Sequence, residues 1–203
     1  MPRKNLIRTN EHPYHVTIRC NNKEWFDLPL KEVWRICLQS LGKAKKKNKV
    51  NIQAFVLMGN HYHLMIWTPE SNLDSFMWDF NSEISREIRS ITGRINRIFG
   101  DRYRWSLITT SRYQDQALKY IYQNPIRANI VEKCEDYEFS TLKSILKKGS
   151  LGFELYWPTI GDLPQFLEWI NYQPQIEETE KIKKALSKPI FKIPIDRTSR
   201  RNL

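Results

Sequence analysis

The order strand, helix, hairpin, helix, strand, helix predicts an α+β sandwich in this 203-residue chain, with helices covering one face of an antiparallel sheet and a helical C-terminal extension. Three observations carry the prediction. Residues 14–20 alternate with period two, and two runs rich in branched and aromatic residues flank a Gly59-Asn60 step. Between these segments, apolar residues recur at helical spacing.

The first strand is Tyr14-His15-Val16-Thr17-Ile18-Arg19-Cys20, ended by Asn21-Asn22. Residues 31–47 read as a helix, because Val33, Trp34, Cys37, Leu38 and Leu41 form an apolar stripe before a lysine-rich exit. The hairpin spans residues 50–68, turning at Gly59-Asn60. After a break at residues 69–72, a polar helical stretch carries Ile84, Ile88, Ile91, Ile95 and Ile98 and runs to about residue 99. Residues 105–111 read as a fourth strand. Residues 113–124 read as a helix that Pro125 cannot continue.

These segments make up a first unit of residues 1–134. The extension, residues 135–203, holds two short helical patterns at 140–148 and 161–170, separated by residues 149–158. An acidic and then basic stretch at 177–188 follows. The chain ends in Pro189, Pro194 and a basic run at 197–201, a tail expected to be mobile and to follow a nucleic-acid backbone.

Thirty-three Lys and Arg against 22 Asp and Glu leave a net charge of +11. That excess points to a polyanionic partner, nucleic acid ahead of an anionic membrane surface. No run has the length of a membrane span, and no apolar signal core follows Met1-Pro2-Arg3-Lys4, so a cytoplasmic, nucleoid-associated protein is expected. Cys20, Cys37 and Cys134 are odd in number and lack CxxC spacing, and they read as reduced packing residues.

Chemistry concentrates at His61-Tyr62-His63. On a strand these imidazoles share one face with Met65 and Trp67, while Tyr62, Leu64 and Ile66 take the other. Two of the chain's four histidines thus lie side by side, as a metal-binding pair or as ordinary strand histidines. Tyr120 and Asn124 are four apart and share one helical face. Alone they read equally as a core tyrosine and a helix-ending asparagine. Brought near the histidines, they would place a phenol beside a divalent ion with neutral ligands, open positions and enough charge to polarise a phosphodiester. His15 and Arg19 share a face of the first strand and could line that surface or face solvent. Tyr103, Trp105 and Tyr113 could stack on unpaired bases or lie in the core.

Ala54-Phe55-Val56-Leu57-Met58-Gly59-Asn60-His61-Tyr62-His63-Leu64, together with Tyr120-Ile121-Tyr122-Gln123-Asn124-Pro125-Ile126-Arg127-Ala128, resembles the HUH single-tyrosine transposases, and within them the REP-associated tyrosine transposases. The first strand matches too, and the resemblance covers roughly residues 8–131. It implies a ferredoxin-like or RRM-like domain that cuts and rejoins single-stranded DNA and recognises a hairpin near the cleavage point. By position, His61, His63 and Asn124 would hold Mg or Mn, and Tyr120 would be the nucleophile forming a 5′-phosphotyrosine. Arg19, Arg94, Arg97, Arg102, Arg104 and Arg127 are the candidate DNA contacts. REP-associated forms favour a monomer over a homodimer.

The sequence departs from the family pattern at Gly59, where proline is usual, and at Tyr62, where a smaller residue is usual. Two other readings stay open. One is an HUH nickase of the replication-initiator type, and the other is a non-catalytic or domesticated nucleic-acid-binding module.

Overall fold

The computed structural model describes residues 5–147, 149–156 and 162–193. The basic tail from residue 194 and the start of the predicted 161–170 helix lie outside the described residues.

Four strands form one antiparallel sheet in the order β2-β3-β1-β4: β1 (Tyr14–Arg19), β2 (Asn51–Leu57), β3 (His61–Trp67) and β4 (Arg104–Leu107). With α1 (Leu30–Lys47) between β1 and β2, and α2 (Leu73–Thr92) between β3 and β4, this is the ferredoxin-like arrangement. Tyr62, Leu64 and Ile66 of β3 point into a core filled by Val33, Ile36, Cys37 and Leu41 of α1 and by Phe76, Phe80, Ile84 and Ile88 of α2. Alternation along β3 sends Met65 to the opposite face. There it packs with Ala54 and Val56 against Ala117, Leu118 and Ile121 of α3 (Ser111–Tyr122). The α+β class and the antiparallel sheet hold, but helices expected on one face line both.

Element boundaries differ from expectation where a single residue decides them. The second helix stops at Thr92 instead of reaching residue 99, because Gly93 adopts φ +70° and its N–H closes on the Arg89 carbonyl at 2.9 Å. Ile95 is consequently 93% exposed, while Ile98 drops into the core beside the Cys20–Phe99 bridge. Gly59 sits in the two-residue turn closed by the Met58 N–H on the His61 carbonyl at 2.8 Å. A Cβ there would come within 2.6 Å of the Trp25 ring, so the exposed indole, which packs directly on this turn, would have to shift for any larger residue.

Beyond α4 (Asn124–Arg127), the chain continues through α5 (Thr141–Leu146), α6 (Leu163–Asn171) and α7 (Ile176–Leu186). The last of these was not foreseen. Its signals are Glu177 and Glu178 in the first turn, Lys183 and Lys184 in the last, and Ile182, Ala185 and Leu186 on one buried face.

This extension closes both edges of the sheet. At β2, the Leu57 N–H bonds the Phe139 carbonyl at 3.0 Å, the Tyr137 hydroxyl donates to the Leu57 carbonyl at 2.7 Å, and Tyr156 N–H donates to Ile52 at 2.7 Å. At β4, Leu107 exchanges bonds with Pro189 (2.8 Å) and Phe191 (2.9 Å). Sheet edges left with unpaired N–H and C=O groups invite pairing with other chains, and here both are taken. Among the described residues, no helix is long and apolar enough to cross a membrane.

Thr141 ties the β2 edge to two helices. Its hydroxyl accepts the Phe55 N–H at 2.9 Å and lies 3.0 Å from the Tyr122 hydroxyl, all fully enclosed. Thr141→Val keeps the shape but strands the buried Phe55 N–H, and chemical denaturation should register a loss of about 1–3 kcal/mol. An unchanged midpoint would mean that water or relaxation replaces these bonds.

Candidate active site

Cross-strand pairing sets Arg19 opposite His61, Thr17 opposite His63, and Arg104 opposite Thr17. Paired residues point to the same side, so these five side chains share the face that Tyr62 and Leu64 leave. His15, one step further along β1, lies diagonally from His63. The rings stack with centroids 5.1 Å apart, and His15 Nε2 is 2.8 Å from His63 Nδ1. His15 and His63 are 3% and 6% exposed. The alternative in which His15 faces solvent is thereby corrected. Strand parity signalled the face of His15, but only the placement of β1 beside β3 brings it to His63.

Burial dictates the protonation of these rings. Removed from water, His15 is lowered to about 3 and His61 to about 4, and His63 also falls well below the ordinary histidine range, each mainly through desolvation. All three are therefore neutral near pH 7. Neighbouring bonds fix one tautomer. Asn60 Nδ2 donates to the Lys23 carbonyl at 2.7 Å, so its Oδ1 faces His61 Nδ1 at 2.9 Å and must accept from it. His61 carries its proton on Nδ1 and keeps a lone pair on Nε2. The rings of His61 and His63 are 5.2 Å apart and nearly perpendicular.

Helix α3 delivers the tyrosine. Thr110 caps its start by accepting the Tyr113 N–H at 3.2 Å, and Ala117, Leu118 and Ile121 seat it on the sheet. Tyr120 then meets His63 and His15 edge-on, at 5.9 and 6.1 Å between ring centres. As expected, Pro125 does not continue this helix, although the chain turns helical again at once. The α3 helix closes at Tyr122, and α4 restarts with Pro125 in its first turn, where α4 itself needs no N–H from it. Asn124 Nδ2 donates to the carbonyls of Tyr120 (3.0 Å) and Ile121 (3.2 Å), which commits its nitrogen to the helix and leaves Oδ1 as the outward group. Arg127 donates to the Tyr120 carbonyl at 2.6 Å and lies 4.1 Å over the Tyr120 ring. Burial raises the Tyr120 phenol above its usual value, and the opposing pull of Arg127 is the smaller effect.

A cleft of about 1320 Å³ gathers these groups. Its lining includes His15, His61, His63, Tyr120, Asn124 and Arg127. Arg19, Arg102 and Arg104 also line it, whereas Arg97 is exposed elsewhere. Arg94 is engaged in a clamp with Glu24 at 2.7 Å and Asp27 at 2.6 Å, with only 12% of its side chain exposed. Tyr103 and Trp105 belong to the core, and Tyr113 packs on Phe191. Among the described residues, no three His, Cys, Asp or Glu cluster as metal ligands. Two neutral imidazoles and an amide oxygen remain, a donor set that fits a divalent cation and suits Mn better than Mg by ligand type.

A protein-family model described as "Transposase IS200 like" matches residues 8–124. No curated protein matches the chain. Among solved structures, a REP-associated tyrosine transposase bound to a REP hairpin superimposes with a TM-score of 0.60 at 19% identity, covering 80% of this chain and 95% of that one. A candidate transposase from Deinococcus radiodurans R1 gives a TM-score of 0.42 at 16% identity, covering 59% and 95%. With the family model spanning more than half its length and the fold shared with a tyrosine transposase, the chain belongs to the IS200-like transposase family.

Proposed function

We propose that this transposase cleaves and rejoins single-stranded DNA through a covalent phosphotyrosine at Tyr120, using Mg or Mn held by His61, His63 and Asn124. The observation that carries the reading is the convergence in one cleft of a buried phenol, two neutral imidazoles and an amide one helical turn from that phenol. A bound divalent ion would supply Lewis-acid polarisation of the phosphate and electrostatic stabilisation of the phenolate. Tyr120 would lose its proton and bond to phosphorus through its oxygen. The P–O3′ bond would break, leaving a 3′-hydroxyl after protonation and a 5′-phosphotyrosine that a second 3′-hydroxyl reverses.

The remaining residues orient and bind. Arg127 holds the Tyr120 ring in place and favours its anion. If His63 binds through Nε2, its Nδ1 carries a proton and donates to His15 Nε2, so His15 acts as a positioning residue that fixes the tautomer. Arg19, Arg102 and Arg104, which line the cleft, would hold the DNA backbone. Hairpin recognition is proposed by analogy, since the transposase sharing this fold was solved with a hairpin.

Three outcomes test this reading. Tyr120→Phe should abolish the covalent protein–DNA species on labelled hairpin oligonucleotides while leaving their binding intact, and an adduct surviving in this variant would move the nucleophile elsewhere. His61→Ala and His63→Ala should each weaken Mn binding, read by calorimetry without DNA, by about tenfold or more, and chelator should prevent the wild-type adduct. Finally, His15→Ala should weaken Mn binding about tenfold, whereas His15→Gln, whose amide oxygen accepts the same proton, should recover most of it. Equal Mn affinity in the wild type and both His15 variants would remove His15 from this role.

A further inference from the structure

Behind Tyr120, on the side away from the histidines, lies a second cavity of about 290 Å³. It adjoins the main cleft through Tyr120, Gln123 and Arg127. Its outer wall is aromatic, formed by Trp169 near the end of α6 and Tyr172 just beyond it. Lys119, next to Tyr120 on α3, holds its Nζ 5.3 Å from the Trp169 ring centre and 4.9 Å from that of Tyr172. Trp169 and Tyr172 remain 37% and 70% exposed, so both retain surface for another group.

This wall is fixed to the nucleophile's helix. Gln123 Nε2 donates to the carbonyls of Ile170 (2.8 Å) and Tyr172 (2.9 Å). Arg112, Lys119 and Arg127 line the cavity together with Asp115 and Glu178, an excess of one positive charge. Gln116 also lines it, and its Oε1 is buried without a hydrogen-bond donor among the described residues.

Each feature selects the same kind of ligand. Half-open aromatic faces beside a cation favour a flat π-system. The surplus of cations favours an anion, and a buried acceptor lacking a partner calls for an N–H donor. An unpaired nucleotide supplies all three through its base face, its phosphate and its base N–H groups. We propose that this cavity holds the unpaired nucleotide adjoining the phosphodiester presented to Tyr120, and that α6 and the segment leading to α7 serve to build it. The proposal rests on the DNA-cleavage reading above, and it assigns a role to a part of the chain that the family model does not reach.

Binding of short fluorescein-labelled oligodeoxycytidylate and of an abasic oligomer of equal length and charge, measured by anisotropy in the Tyr120→Phe background, separates base stacking from backbone attraction. The Trp169→Ala/Tyr172→Ala double variant should weaken oligodeoxycytidylate binding about tenfold and leave the abasic oligomer unchanged. Tyr172→Phe, which keeps the ring, should bind like its parent. Equal losses for both oligomers, or no loss for either, would overturn the proposal, and a thermal melt of the double variant checks that the fold persists. Restoring Tyr120 distinguishes the two failures. Base-selective binding without any adduct sinks the cleavage reading alone, whereas an adduct without base-selective binding sinks this inference alone.

Discussion

Helix α3 ends at Tyr122 and Pro125 has no N–H to give, so the carbonyls of the last turn of α3 need other donors, and the groups around Tyr120 are arranged by how that deficit is met. Asn124 turns its amide nitrogen inward to the Ile121 and Tyr120 carbonyls, and Arg127 reaches back seven residues to the Tyr120 carbonyl. A buried carbonyl left unmatched would cost about 1–3 kcal/mol, enough to hold both side chains in these poses. Their free ends are then aimed as well. Asn124 can present only its oxygen to the cleft, and the Arg127 guanidinium lies flat on the phenol ring. A helix interruption thus orients a donor atom and a cation around one tyrosine.

The sheet imposes the complementary constraint. One face of β3 carries Met65, which seats α3, and His63 and His61 further along, which face the cleft. Packing and chemistry are therefore consecutive steps on one strand, and the apolar contact that docks α3 also sets Tyr120 over His63. The same enclosure works in opposite directions on the two kinds of group. It strips protons from the imidazoles, the form in which a histidine offers a lone pair to a metal, and it holds the proton on the phenol. A cleft of neutral donors beside a phenol that holds its proton is the electrostatic setting in which an added cation has most effect.

Much of this was legible in the residues. Alternation at 14–20 and 50–68 located three strands and the shared face of His61 and His63, and the Tyr120–Asn124 spacing located the second half of the site. Elsewhere the deciding contacts join residues far apart in sequence. Nothing near His15 distinguishes a solvent-facing ring from a partner of His63, because the difference depends on which strand lies beside β1. Arg94 reads as one more basic residue until Glu24 and Asp27 fold over it. Gly59 looks like a turn residue chosen for its backbone, although its φ is not positive and the distant Trp25 packs its ring against it. Two boundaries do rest on local signals: the glycine that ends α2 and the charge gradient that marks α7.

The extension also alters what counts as the catalytic unit. Residues 137–141 and 156 occupy the β2 edge, residues 189–191 occupy the β4 edge, and Phe166, Ile170, Ile182, Leu186 and Phe191 complete the core beneath α3. A boundary at residue 134 would leave both edges unpaired and α3 packed on one side only. Since α3 carries Tyr120, and α7 supplies Lys181, Lys183 and Lys184 to the far wall of the cleft, the position of Tyr120 depends on residues sixty positions further along. The histidines belong to the ferredoxin-like unit, but the tyrosine that would act beside them is held there jointly by that unit and by the chain that follows it.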